Sequence, residues 1–330
     1  MDDAQTSPKP LETHPSNGPR PLPKPKPTDR ISLDEVKDAL LRSGYLLENR
    51  LETVLSKRGF YVDANEAYPD PETGKAREFD LYAMAAHQAG PKDYDFIFTV
   101  LLIECINNPQ PLLFLTKKPQ AAFLHNQEVK MAGLPLKFPD KKHRNQWESL
   151  AEFLEMSEYH HYCKGRVATQ FCSFVRKKNS PDWMATHDEE HFDALRELSA
   201  VTEHTVNNTF THWTIDAKER INIEFYYPVL VLQGDLLEAR AEGKSLTLLP
   251  TKHVQFRRST MSGKQEQTFQ IDVVTEKAFP KFLKLIETEM GKTARLLRRR
   301  HLRVEDAIGR IVRDARRLRS PDKIRKALEF

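Results

Sequence analysis

The chain has 330 residues, 39% of them apolar, with a net charge of +4 and a mean hydropathy of −0.61, which suits one large domain or two modest ones. It has no signal-peptide start and no apolar run near the ~20 residues of a membrane span, so the expectation is a cytoplasmic protein without a membrane segment. Its three cysteines, Cys105, Cys163 and Cys172, follow no framework spacing, which excludes a disulfide-stapled secreted scaffold.

Residues 1–30 hold eight of the 21 prolines. Alternating proline fixes φ and removes backbone donors, so an extended, disordered arm is expected there. Ser32-Leu-Asp-Glu35 reads as a capping box that starts a short helix ending near Ser43. A second helix is expected from Tyr45 to Arg58, where Leu47, Leu51, Val54 and Leu55 form one buried stripe with Glu48 and Glu52 on its flank. Strands follow at Phe60–Asp63, Arg77–Tyr82 and Phe96–Ile103, the last so apolar that it reads as buried on both faces.

Leu112–Leu115 is another short apolar piece, and residues 117–147 resist assignment. The spacing of Leu150, Phe153 and Leu154 suggests a helix over Trp147–Tyr162, followed by a strand at Val167–Val175. Thr186 and Glu189 read as the capping box of a helix to Thr202. Strands at Ile221–Val231, Ser245–Leu249, Val254–Arg258 and Thr268–Thr275 precede a helix at Phe279–Glu289. The expected fold is α/β, a mixed sheet flanked by helices, with a further strand-rich segment and a basic helical tail. The expected domains are the arm (1–30), an α/β body (31–290) and the tail (291–330).

The chemistry concentrates in carboxylates. Glu104 ends the apolar strand, and a buried lone carboxylate is costly, so it needs a cation or a proton. Glu48 or Glu52 on a helix, Asp80 on the second strand and Glu104 on the third have an order that resembles the restriction-endonuclease-like, PD-(D/E)xK, superfamily. The resemblance covers residues 32 to about 180 and is weaker beyond; the similarity is to divergent bacterial members. It implies Glu48, Asp80 and Glu104 as catalytic residues, with Asp80 and Glu104 holding Mg²⁺ for phosphodiester hydrolysis. Two positions depart from the pattern. Phe79 stands where proline is usual, and Ile106 replaces the lysine that would help activate water. Asn107 and Asn108 carry no charge, Lys75 and Arg77 lie at odd offsets from Asp80, and Lys117, Lys118 and Lys130 are the downstream cations.

Other candidates are weaker. His187-Asp-Glu-Glu-His191 sits at a helix start, where the acids suit a cap and the helix dipole. His160-His161-Tyr-Cys163 and Cys172 offer soft ligands but no paired-cysteine spacing, and a buried Cys172 is the simpler expectation. Lys292–Phe330 holds 14 Lys and Arg against five Asp and Glu, a local +9 that leaves −5 for the rest. Arg295, Arg298, Arg299, Arg303, Arg310, Arg313, Arg316 and Arg317 recur at three- and four-residue spacings, as phosphate contacts would, opposite an apolar side that could pack on the body or on a protein partner. The expected function is a metal-dependent nuclease-like protein acting on or binding DNA. The alternative is a catalytically silent module of the same fold that binds nucleic acid or protein.

Overall fold

The computed structural model describes residues 30–43, 45–70, 74–140, 143, 146–187, 189–212, 219–262 and 265–317. The proline-rich arm up to residue 29 and the last tail residues lie outside them. The chain divides into two units, residues 1–41 and 42–330. In the first, α1 (Leu33–Arg42) begins as expected: Ser32 Oγ accepts from the Glu35 N–H (3.2 Å), and Glu35 accepts from the Ser32 N–H (2.8 Å).

The second unit runs in the order α2 (Tyr45–Ser56), β1 (Tyr61–Pro69), β2 (Ala76–Gln88), β3 (Phe96–Ile106), β4 (Leu112–Lys117), β5 (Lys130–Leu134), β6 (Lys137–Pro139) and β7 (Trp147–Ser149). It continues with α3 (Leu150–Phe153), β8 (Val167–Arg176), β9 (Trp183–Thr186), α4 (Glu189–His212) and β10 (Asn222–Leu232). β11 (Leu236–Glu242), β12 (Ser245–Thr251), β13 (His253–Ser262), β14 (Gln265–Thr275), α5 (Phe279–Arg299) and α6 (His301–Arg316) complete it. The mixed sheet has the order β1-β2-β3-β10-β14-β13-β8-β4-β11-β12, with β5 on the first half of β10 and β9 on β8. β1, β2 and β3 form an antiparallel meander, and β10 lies parallel to β3 after the α4 crossover.

Neighbouring tyrosines on β10 show which helices cover which face. The Tyr227 hydroxyl meets Met290 Sδ of α5 (3.4 Å), whereas the Tyr226 hydroxyl bonds Thr209 of α4 (2.7 Å). Alternation along a strand therefore puts α5 on one face and α4 on the other. Arg50 of α2 pairs with Glu276 just ahead of α5 (2.5 Å), and Arg58 just past α2 pairs with Glu287 of α5 (2.9 Å). The α2 leucines 47, 51 and 55 are buried, as the stripe requires.

Several sequence expectations change. Trp147–Tyr162 is not one helix. Ser149 and Glu152 cap the four-residue α3, and Glu155 in the left-handed region (φ 56°) ends it. The segment that resisted assignment contributes β5 and the β6–β7 hairpin. β5 depends on Gly133 at φ 117°, where a Cβ would fall 2.0 Å from the Asn222 carbonyl oxygen. Thr186 closes β9 rather than capping α4, which runs on to His212. The body–tail boundary at residue 290 falls inside α5, and α5 and α6 meet at Arg300. α5 and α6 bury Leu297, Val304, Ile308, Ile311 and Val312 in the main core, so they belong to the body. No described helix is long and apolar enough to cross a membrane.

Candidate metal centre

The β2–β3 ladder ends at the pair Leu81–Ile103, so the next residues, Asp80 and Glu104, face each other where the strands part. The β1–β2 register also passes over Asp80, because Asn65 opposite it turns left-handed (φ 56°). Asp80 fills the opening with its own side chain: Oδ2 accepts the N–H of Cys105 at 2.6 Å. Glu104 pairs with Leu230, four residues from Tyr226, and so lies on the α4 face. Asp80 and Glu104 are close enough to share a proton.

Two more carboxylates act on this pair. Glu48 reaches it from α2 and Glu197 from α4. Burial first, then the charge of Asp80, pushes the Glu104 carboxyl well above its ordinary range. Burial also raises Asp80, against the Cys105 N–H bond that lowers it, and burial plus Asp80 raises Glu48. The Cys105 thiol rises for the same reasons. The nearby cation is Arg77, whose guanidinium is held between Asp70 and Glu197.

The pair has the donor chemistry of a hard-cation site. Glu104 is only 8% exposed, and its Oε1 is buried without a hydrogen-bond partner. Among the described residues no Lys or Arg bonds to Glu48, Asp80 or Glu104. Hard carboxylate oxygens suit Mg²⁺ or Mn²⁺. The Tyr68 hydroxyl, also buried and unpartnered, senses both Glu104 and Glu197. Glu52, by contrast, is exposed.

Apart from Arg77, the sequence candidates for the missing lysine do not gather here. Ile106 is 4% exposed and packs with Leu195, Leu198, Leu230 and Leu232. Buried Asn108 ties the chain together through Asp235 O, Gln110 O and the Gly234 N–H. Lys130 lies over the Phe269 ring at 4.4 Å, and Lys117, the last residue of β4, and Lys118 after it are exposed. Arg77, set aside in the sequence for its odd offset from Asp80, is the cation that comes near, through Glu197; Glu197 itself was not picked out, because nothing local marks one acid on a long helix.

The tail arginines lie elsewhere. Arg298 donates to Gln88 O at the far end of β2, eight residues from Asp80, about 26 Å at ~3.3 Å per residue. Arg316 is 3.9 Å from Glu219, just ahead of β10. Arg303 pairs with Glu148 (2.6 Å) and Arg310 with Asp306 (3.0 Å). Arg295, Arg299, Arg313 and Arg317 are exposed and form no ion pair among the described residues.

A second polar cluster is buried between β14 and α5. His160 Nε2, His161 Nδ1 and Glu289 Oε2 lie within 4.8 Å of one another, a spacing that could hold a metal. The hydrogen bonds favour protons instead. His160 Nδ1 accepts the Tyr162 N–H (3.2 Å), so a neutral ring keeps its proton on Nε2, the would-be ligand atom. His161 is clamped between two carboxylates, Nδ1 to Glu289 (2.8 Å) and Nε2 to Asp272 (3.1 Å). Burial alone would lower His161, but Asp272 and Glu289 outweigh it and raise it to about 10. His187 precedes α4 with its ring against Phe171, so it and His191 do not share a helix face. Cys172 is a free thiol in β8, half-buried where full burial was expected. Compared with known proteins, the chain matches no family model, no curated relative and no solved structure.

Proposed function

We propose that this chain is a divalent-metal-dependent phosphodiester hydrolase of the restriction-endonuclease-like type, acting on DNA through Asp80, Glu104 and Glu48. The observation that carries the reading is the meeting of Asp80 and Glu104 at the parting of β2 and β3, with two further acids around them and no basic side chain bonded to the pair among the described residues. Asp80 and Glu104 would hold the ion, with Glu48 on the α2 side. When bound, Mg²⁺ supplies Lewis acidity at the phosphate and lowers the pKa of the attacking water.

The side chains divide the remaining work. Glu104 would have to be ionised to serve as a ligand, giving up the proton that its surroundings favour. Asp80 is aimed by the Cys105 N–H. Glu48, raised by burial and Asp80, is the acid suited to take a proton from water. A cation in place of Ile106 would add general acid–base help worth ~10²–10⁴ in rate, so slow turnover is expected. The binding-module reading draws on the same residue: Ile106 serves the apolar core.

Supercoiled-plasmid nicking with Mg²⁺ or Mn²⁺ tests the proposal. Weak, chelator-sensitive nicking by the wild type should disappear in Asp80→Asn. Nicking that persists in Asp80→Asn would remove the carboxylate pair from the chemistry. Metal binding without any nicking would favour the silent module.

A further inference from the structure

A second feature lies along α4 from the carboxylates. His191 is six residues from Glu197, about 9 Å along the helix at 1.5 Å per residue. It helps line a cavity of about 460 Å³ between α4, the β8–β9 hairpin and the chain that leaves β3. Pro109, Gln110, Phe174, Arg176 and Trp183 form other walls. Trp183 is 49% exposed and its neighbour Met184 50%.

Basic side chains gather on the hairpin side of this cavity. The Arg176 guanidinium lies 4.9 Å over the Trp183 ring, and Lys177 and Lys178 follow it on the exposed turn. Their acidic neighbour Asp182 is bonded by Ser180 (2.8 Å). Next to His191, Phe192 carries Arg258 4.6 Å from its ring. The Arg258 Nε is buried without a partner, and Arg196 repels its charge. Exposed aromatic rings interleaved with guanidinium groups suit flat bases joined by phosphates. A duplex hides its base faces in the stack, so only an unpaired base can lie on Trp183.

We propose that this cleft is a nucleobase-stacking subsite that feeds single-stranded nucleic acid to the carboxylate centre. The proposal rests on reading that centre as a phosphodiesterase site. Trp183 stacks one base, and Arg176 with Lys177 and Lys178 contacts the adjoining phosphates. The tail arginines, at the other end of the sheet, take no part.

The test is anisotropy of labelled oligo(dT), and of a duplex of the same length, titrated with the full chain in Ca²⁺ at low salt. Oligo(dT) should bind more tightly than the duplex. Trp183→Ala should weaken oligo(dT) binding about tenfold or more, the worth of one stacked base, while Trp183→Phe keeps most of it. Arg176→Ala with Lys177→Ala should reduce the salt dependence. Wild-type affinity in Trp183→Ala, a preference for duplex, or no binding of either would overturn the subsite and leave the exposed patch to a protein partner. Mn²⁺ binding, measured separately, distinguishes the parent reading. If Trp183-dependent oligo(dT) binding survives without Mn²⁺ binding, the subsite stands and the metal centre falls. Mn²⁺ binding without Trp183-dependent oligo(dT) binding removes the subsite and leaves the metal centre standing.

Discussion

Glu104→Gln should make the metal-free protein more stable, and at the same time cancel any stabilisation by Mn²⁺. Glu104 sits among Asp80, Glu197 and Glu48 and is nearly buried, so its charged form is disfavoured by solvation and by repulsion. Glutamine keeps the shape and a donor for Asp80 but carries no charge. A gain of roughly 1–3 kcal/mol at about pH 7.5 is expected, of the size seen when a buried charge is relieved. The pH dependence carries the sign. A carboxyl whose folded pKa lies above its unfolded ~4.3 binds more protons in the folded state, so stability falls as pH rises from the unfolded value through the folded one. Wild type without metal should therefore be more stable near pH 5.5 than near pH 8. Glu104→Gln should flatten that fall. Urea melts across this range measure both effects, and a less stable Glu104→Gln with an unchanged pH slope would contradict the charge crowding.

The second large effect is structural. His161→Ala leaves Asp272, fully buried, and Glu289 without their shared cation, and breaking a buried charge network in this way costs about 3–5 kcal/mol. The midpoint of urea unfolding should drop sharply with little change in slope. Linkage separates this from simple loss of packing. His161 is raised from 6.5 to about 10, so its contribution is fully present below 6.5 and is lost as pH climbs toward 10. Asp272, lowered by His161 and His253 despite its burial, contributes above the ordinary carboxylate range and loses that as pH falls. His161→Ala should therefore be hurt most near pH 5–6 and least near pH 10. A loss under about 1 kcal/mol at pH 6 would mean that the clamp contributes little.

Legibility in the sequence followed the range of the interactions. The Ser32–Glu35 box and the Leu47–Leu51–Leu55 stripe are local patterns, and the structure has both. Glu104 stood out because an acid ending an apolar strand demands an explanation, and Asp80 and Glu48 were drawn in by the order of elements; Asp80 meets Glu104 where β2 and β3 part. Glu197 did not stand out, because its importance comes from the α4 crossover rather than from its neighbours. The clamp was equally hidden: His161 is 111 residues from Asp272 and 128 from Glu289. Trp147–Tyr162 misled through its helical spacing. Phe153 stacks on Phe138 at 3.7 Å, and tertiary packing, not helix periodicity, sets that spacing. The basic tail has the helical faces expected of it, but its apolar side completes the core and several arginines bond to the body. Ile106 is settled by packing as well: a lysine there would enter an apolar layer, so restoring the motif by substitution would cost stability before it could add chemistry.

The most direct test of the metal centre is calorimetric titration of Mn²⁺ into the metal-free wild type and into Asp80→Asn, in two buffers of different ionisation heat at about pH 7. Wild type should bind the ion and release protons, because Glu104 must lose its proton to coordinate, and Asp80→Asn should bind nothing. No binding by a folded wild type at millimolar Mn²⁺, or equal binding by Asp80→Asn, would contradict the assignment of Asp80 and Glu104 as a metal centre.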